Sequence, residues 1–289
     1  MNRAQNSPLA KRLAERLGFG AMTVMTILTV IPIIAVVIYI VIQGAPAINW
    51  TFLTQMPSDG MRAGGILPAI VGTFYLTLGT ALFSVPLGIG AAIYLAEYAS
   101  ENRWTRIIRI AIQNLAGIPS VVYGLFGLGI FVISLKLGTS ILAASLTLSI
   151  MTLPVIISTS EEALRAVPNS FRVVSTSLGA TRWQTVRRIV LPQSLPGILT
   201  GVILGLERAA GETAPILFTG ATFFLPQLPH SSLDATMALP YHLFVISTQV
   251  PGMPVEIQYG TALVLLVFVL GMNIIASVIR SRARAKRQW

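Results

Sequence analysis

Apolar residues in this chain come in long runs, and polar residues cluster between the runs instead of alternating with them. Six runs are long enough to cross a bilayer as helices: 19–43, 66–96, 111–135, 139–160, 194–220 and 258–279. Polar segments occupy 1–18, 44–65, 97–110, a short turn at 136–138, 161–193, 221–257 and 280–289. A signal-peptide core is about 7–15 residues long, and the run 19–43 exceeds that, so it reads as a retained span. No period of 20–50 residues is visible, which argues against a solenoid. The pattern predicts an all-α polytopic membrane protein with six transmembrane helices.

Small residues mark where helices approach closely. Thr80, Ser84, Gly88, Ala92 and Ala96 recur every four residues in the second run. Gly197, Gly201, Gly205 and Ala209 do the same in the fifth, which predicts that the fifth helix is central. The segment 161–193 has its own helical pattern. Pro168 suits a first helical position, and Phe171, Val174 and Leu178 share one face. Gly179 is placed like a left-handed residue that ends a helix, and Thr181-x-x-Gln184 is a capping box that starts another. Trp183, Val186 and Val190 continue that second helix towards Leu191-Pro192. The segment is therefore a basic, amphipathic helical hairpin, shaped to dock a partner. A plain orienting loop rich in Arg has the same composition.

Charge sets the expected topology. The segments 1–18, 97–110, 161–193 and 280–289 carry 4, 3, 5 and 5 Lys or Arg, or 17 of the chain's 20. The remaining three are Arg62, Lys136 and Arg208. Positive residues stay inside, so 1–18, 97–110, 161–193 and 280–289 are expected in the cytoplasm, together with both termini, and 44–65 and 221–257 outside. The net charge of +10 is explained by this flanking Arg without invoking nucleic acid. The 289 residues contain no cysteine, which excludes disulfides and thiol chemistry.

Three ionisable residues fall within the fifth run: Glu207, Arg208 and Glu212. Each costs on the order of 3 kcal/mol at membrane depth, so such groups face protein or a watery path. Arg208 and Glu212 are four residues apart and share a helical face, while Glu207 points about 100° away. An Arg fork matches an oxyanion, so one reading is an anion path in which Glu212 holds Arg208 between passages. The other is a static ion pair between helices. The chain lacks GxxxxGK(S/T), GxSxG and HExxH, so no enzyme chemistry, cofactor or metal site is expected, and ATP would have to be used by a separate subunit. His230 and His242 are expected at the surface of the outer loop.

The hairpin resembles the cytoplasmic EAA loop of ABC-importer permeases through Leu178-Gly179-Ala180-Thr181 and Leu191-Pro192. One departure is Val173-Val174, where relatives usually carry an acidic and a small residue after the position of Arg172. Further segments are similar to the permeases of phosphate importers, of the PstA type more than the sister PstC type. They are Gly64-Gly-Ile-Leu-Pro-Ala-Ile-Val-Gly-Thr73, Pro119-Ser-Val-Val-Tyr-Gly-Leu-Phe-Gly127, Glu161-Glu-Ala-Leu-Arg-Ala-Val-Pro168, Arg208-Ala-Ala-Gly-Glu-Thr-Ala-Pro215 and Met237-Ala-Leu-Pro240.

The resemblance implies a type I, MetI-like permease fold in an inner membrane and a non-catalytic role. It assigns phosphate contact to Arg208, with Glu212 and Glu207 beside it. Docking to the ATPase falls to Glu162, Ala163, Arg172, Leu178, Gly179, Ala180, Thr181, Trp183, Leu191 and Pro192. It implies three partners: a second permease (PstC-like), a pair of ATPase subunits (PstB-like) and an external phosphate-binding protein (PstS-like). Another oxyanion, such as sulfate or molybdate, is the nearest alternative cargo, and an ion-driven secondary transporter is the alternative from another class.

Overall fold

The computed structural model describes the backbone of residues 8–285 and the side chains of 15–282, so Arg3, Lys11, Arg12 and the end of the basic tail lie outside the described side chains. The described residues are mostly helical. Helix α1 (Pro8–Gly44) leads through a short turn to α2 (Trp50–Thr54) and a two-residue hairpin, β1 (Pro57–Ser58) with β2 (Ala63–Gly64). Then come α3 (Leu67–Ile93), α4 (Arg103–Ala116), α5 (Ser120–Gly127) and α6 (Ile141–Arg165). The last six helices are α7 (Asn169–Ser177), α8 (Arg182–Thr185), α9 (Leu191–Gly211), α10 (Ala214–Thr219), α11 (Leu239–Thr248) and α12 (Val255–Ala285).

Side-chain caps start several helices. Asn49, Asn102 and Ser140 accept from the backbone N–H three residues on. Along α3 the hydroxyls of Thr73, Thr77, Thr80 and Ser84 each donate to the carbonyl four residues back, so no hydroxyl on this buried face needs water.

The central helix is α6, and not the fifth span as its glycine stripe suggests. Helices α3 and α9 clamp α6 from two sides. On α3, Gly79 lies against Ser145 and Gly88 against Ile156. On α9, Gly197 lies against Ala163, Gly201 against Thr159 and Gly205 against Ile156. Both stripes therefore exist to admit the larger side chains of α6. A stripe of small residues marks a close contact, and it lies on the helix that yields space.

Two expected spans are broken. The run 111–135 is not one helix: α4 and α5 meet at 101°. Gly117 caps α4, and Pro119 lacks an N–H and disfavours helix at Ile118. The run 194–220 stops at Gly211, where Glu212 is extended (φ −76°, ψ 136°), and α10 restarts with Pro215 in its first turn.

The segment 221–257 is also more than a loop. Its helix α11 buries Leu239, Val245 and Ile246 in a cluster with Phe52, Met61, Ile66 and Met253. The segments 44–65 and 221–257 thus pack together at one end of the bundle, where the Arg62 guanidinium donates to the Pro251 carbonyl at 2.6 Å. His242 goes with them. It is buried and not at the surface, and burial pushes its imidazole down to about 4.

Candidate functional site

The hairpin and the helix that follows it form one continuous unit. Helix α6 continues to Arg165, so Glu161, Glu162 and Ala163 belong to its last turns and not to a loop. Glu162 is exposed, and Ala163 packs on Gly197. Pro168 is the residue before α7, one position earlier than expected; its N–H-less ring still suits the start of the helix. Gly179 has φ +83°, where a Cβ is strained, and Thr181 and Gln184 form both bonds of the capping box. A wide π-turn at Val186–Val190 then joins α8 to α9. Arg182–Gly211 is consequently one rod, and about 40 Å separates Trp183 at its tip from Arg208 near its far end.

The hairpin face carries apolar residues without cover. Leu178 is 83% exposed and Trp183 53%. Phe171, Val174, Leu178, Ala180 and Ile189 line a shallow groove between α7 and the rod. Val186 and Val190 are fully buried, so the stripe begun by Trp183 is split between a contact surface and an anchor. Leu191 and Pro192 are half-buried where the rod enters the bundle, and the Ser175 and Thr185 hydroxyls meet at 2.8 Å to close the hairpin.

Arg172 turns its guanidinium into the chain. Its guanidinium holds Glu97 at 2.6 Å and donates to the Leu164 and Val167 carbonyls at 2.9 and 2.7 Å. Glu97 lies in a π-turn, Tyr94–Tyr98, at the end of α3. The Arg182 guanidinium lies 5.2 Å from the centre of the Tyr98 ring. Beside them Glu161 accepts from Arg109 (2.8 Å) and Arg165 (3.0 Å), and Arg165 reaches Glu101 at 3.5 Å. Three helices of the bundle are tied to the root of the hairpin by charge. Glu97, Tyr98 and Glu101 were not legible as site residues. The one signal was their place at a span's end, facing a segment rich in Arg.

The second group of charges lies near the far end of α9. The Arg208 Nε is 3.4 Å from Glu212 Oε1. The pair survives although the helix stops between the two residues, because Glu212 caps the helix and turns back. Glu212 lines a small cavity with Thr73 and Thr77 of α3, Leu148 of α6 and Pro240 of α11. Tyr123 of α5 is buried in one cluster with Ala209, and its hydroxyl donates to the Leu115 carbonyl at 2.7 Å. At membrane depth an interrupted helix is tolerated where it is buried in protein or lines a cavity, and this break is lined by five helices. Glu207 is separate. Its Oε1 is buried with no hydrogen-bond partner among the described residues, on the helix that packs against α12, where Arg280 reaches the Thr200 hydroxyl at 3.4 Å. Of the three acid and base residues in this run, the structure brings Arg208 and Glu212 together and sends Glu207 to a helix interface.

Five long apolar helices and one bent pair fit a multi-pass membrane protein, and the comparisons with known proteins give its class as a non-catalytic inner-membrane permease. The family described as "binding-protein-dependent transport system inner membrane component" matches residues 84–285, and the chain belongs to it. A probable ABC transporter permease of Bacillus subtilis, YqgI, is 32% identical over 92% of this chain and 95% of its own. The phosphate transport permease PstA 2 of Mycobacterium tuberculosis is 34% identical over 88% of this chain and 82% of its own. PstA of Pasteurella multocida is 33% identical over 83% and 84%. Two solved importers share the fold. A bacterial alginate importer has a TM-score of 0.67 at 16% identity, over 95% of this chain and 98% of that one. The inward-facing methionine transporter MetNI has 0.61 at 17%, over 78% and 99%. The fold is that of the MetI-like ABC-importer permeases.

Proposed function

We propose that the chain is a permease subunit of an ATP-driven inorganic phosphate importer. The observation that carries this reading is Arg208: a permanent cation, partly exposed, at a helix break and held by one carboxylate at 3.4 Å. A pair this long and this open is easily exchanged for an oxyanion, which an Arg fork binds in two places. The relatives named as phosphate transport permeases support phosphate as the oxyanion. Glu212 neutralises Arg208 when no anion is present and repels the anion once it has bound.

The exposed Leu178 and Trp183 dock into a pair of PstB-like ATPases, with Gly179, Ala180 and Thr181 shaping that tip. Arg172 sets the angle of the hairpin from within. ATP-driven closure moves the hairpin, and the rod from Arg182 to Gly211 carries the motion to Arg208. A PstC-like permease supplies the other wall of the path. A PstS-like binding protein docks where 44–65 and 221–257 pack together. The hairpin and both termini are cytoplasmic in this reading.

The test is uptake of labelled phosphate by the assembled importer in vesicles, with sulfate and molybdate as competitors. Phosphate uptake that needs ATP and resists a hundredfold excess of either anion supports the reading. Uptake blocked by sulfate or molybdate assigns another cargo, and uptake driven by an ion gradient without ATP removes the reading altogether.

A further inference from the structure

Helix α4 falls at the turn between two spans and has no part in the pathway described above. Its fourteen residues, Arg103–Ala116, present three faces when placed 100° apart. Thr105, Arg109, Ile112 and Ala116 form one face, which is buried or half-buried and packs on α6. Trp104, Ile107, Ile108, Ala111 and Leu115 form the second, and all are exposed, Trp104 by 75%. Arg103, Arg106, Gln113 and Asn114 form the third, also exposed, with Ile110 the one apolar residue among them. The second and third faces lie roughly 120° apart.

The bend fixes how these faces stand. Helix α5 leaves α4 at 101°, so α4 lies close to the membrane plane when α5 crosses it. Arg109 pins α4 there, donating to Glu161 at 2.8 Å and to the Leu95 carbonyl at 3.0 Å. Both acceptors lie near the ends of long helices, on the side of the bundle that carries the hairpin. A helix lying in this plane, with an apolar face, an exposed Trp and a pair of exposed Arg, has the pattern of an interfacial helix.

We propose that α4 lies in the membrane interface and binds anionic phospholipid headgroups through Arg103 and Arg106. The apolar face, with Trp104 at its centre, enters the boundary between headgroups and acyl chains, and the two guanidinium groups take the phosphates. Charge complementarity selects the occupant: two exposed cations beside an apolar face match an anionic lipid, not a neutral one. The proposal does not depend on what the importer carries.

The native chain has no cysteine, so one placed on α4 is the only thiol in this subunit. Ile108→Cys, in an otherwise cysteine-free importer, is labelled with an environment-sensitive fluorophore in vesicles of phosphatidylcholine with phosphatidylglycerol. Quenching by lipid brominated near the headgroup is expected, stronger than by lipid brominated near the chain end. A label that neither lipid quenches, whether wet or covered by the partner permease, overturns the proposal. In the second arm, Arg103→Gln with Arg106→Gln lowers the preference for phosphatidylglycerol over phosphatidylcholine on the order of tenfold, and the Lys pair restores it. Recovery of ATPase with the purified variant checks assembly. An unchanged preference in the assembled Gln variant overturns the headgroup site, and so does wild-type protein that shows no preference at all.

Discussion

The hairpin root depends on a buried ion pair, and breaking it should uncouple the subunit before it unfolds it. Glu97 is 6% exposed and Arg172 21% in their side chains, and the two meet at 2.6 Å. Arg172→Leu removes the guanidinium, which leaves the Glu97 carboxylate buried and uncompensated. It also strips donors from the Leu164 and Val167 carbonyls. Losing one partner of a buried pair costs about 3–5 kcal/mol, and the partial exposure of Arg172 puts this case near 3. Glu97→Gln is milder, about 2 kcal/mol, because the amide oxygen still accepts and only the charge is lost. That energy holds α7 to the end of α3, so its loss frees the hairpin while the spans stay packed. The assay is thermal unfolding in detergent with ATPase recovery on the purified permease. Arg172→Leu is expected to lower stability by about 3 kcal/mol and to cut ATPase recovery at least tenfold. The double variant Glu97→Leu with Arg172→Leu should recover part of the stability, because no buried charge remains. The reasoning is refuted if Arg172→Leu keeps wild-type stability and ATPase recovery, or if the double variant is as unstable as the sum of the two singles.

Three further outcomes follow from the packing. Gly201→Leu forces a side chain onto Thr159 of α6, which should cost about 1–3 kcal/mol, and Thr159→Ala should return part of it in thermal unfolding of the pair. Leu178→Asp, at an 83% exposed position, should leave thermal stability within about 0.5 kcal/mol while ATPase recovery falls; retained recovery would remove Leu178 from the docking surface. His242 stays neutral in the fold down to about 4, whereas an unfolded chain protonates near 6.5, so its share of stability is present above pH 6.5 and is lost as pH falls towards 4. The gap is worth about 3 kcal/mol, and His242→Phe should flatten the stability profile by that amount across this window.

Much of the hairpin was legible because its signals are local. Gly179 and the Thr181–Gln184 box each act within four residues, and both appear as their letters dictate. The breaks at Gly117–Pro119 and before Pro215 also had local signals, but the apolar runs pass straight across them, and hydropathy sums over such gaps. The charge pairs at the root of the hairpin were not legible for a different reason. Glu97 and Arg172 are 75 residues apart, and only the clamp of α3 on α6 brings them together. The same holds for α11: a segment with several prolines reads as a loop until Phe52 and Met61 supply the apolar wall for Leu239 and Ile246. The glycine stripe of the fifth span was real, but a stripe marks a contact without telling which of the two helices lies at the centre. Arg208 and Glu212 drew attention by cost, since charges in an apolar run demand a reason, and their spacing foretold that they pair. Glu207 met the same criterion and serves a helix interface instead.

The central claim is that Arg208 belongs to the anion path. Phosphate uptake by the assembled importer, wild type against Arg208→Gln and Arg208→Lys, tests it most directly, with ATPase recovery confirming assembly. Gln is expected to abolish uptake in a fully assembled complex, and Lys, a cation without the planar fork, to restore only a fraction of it. Unchanged uptake in Arg208→Gln would take Arg208 out of the anion path and leave it as a structural charge paired with Glu212.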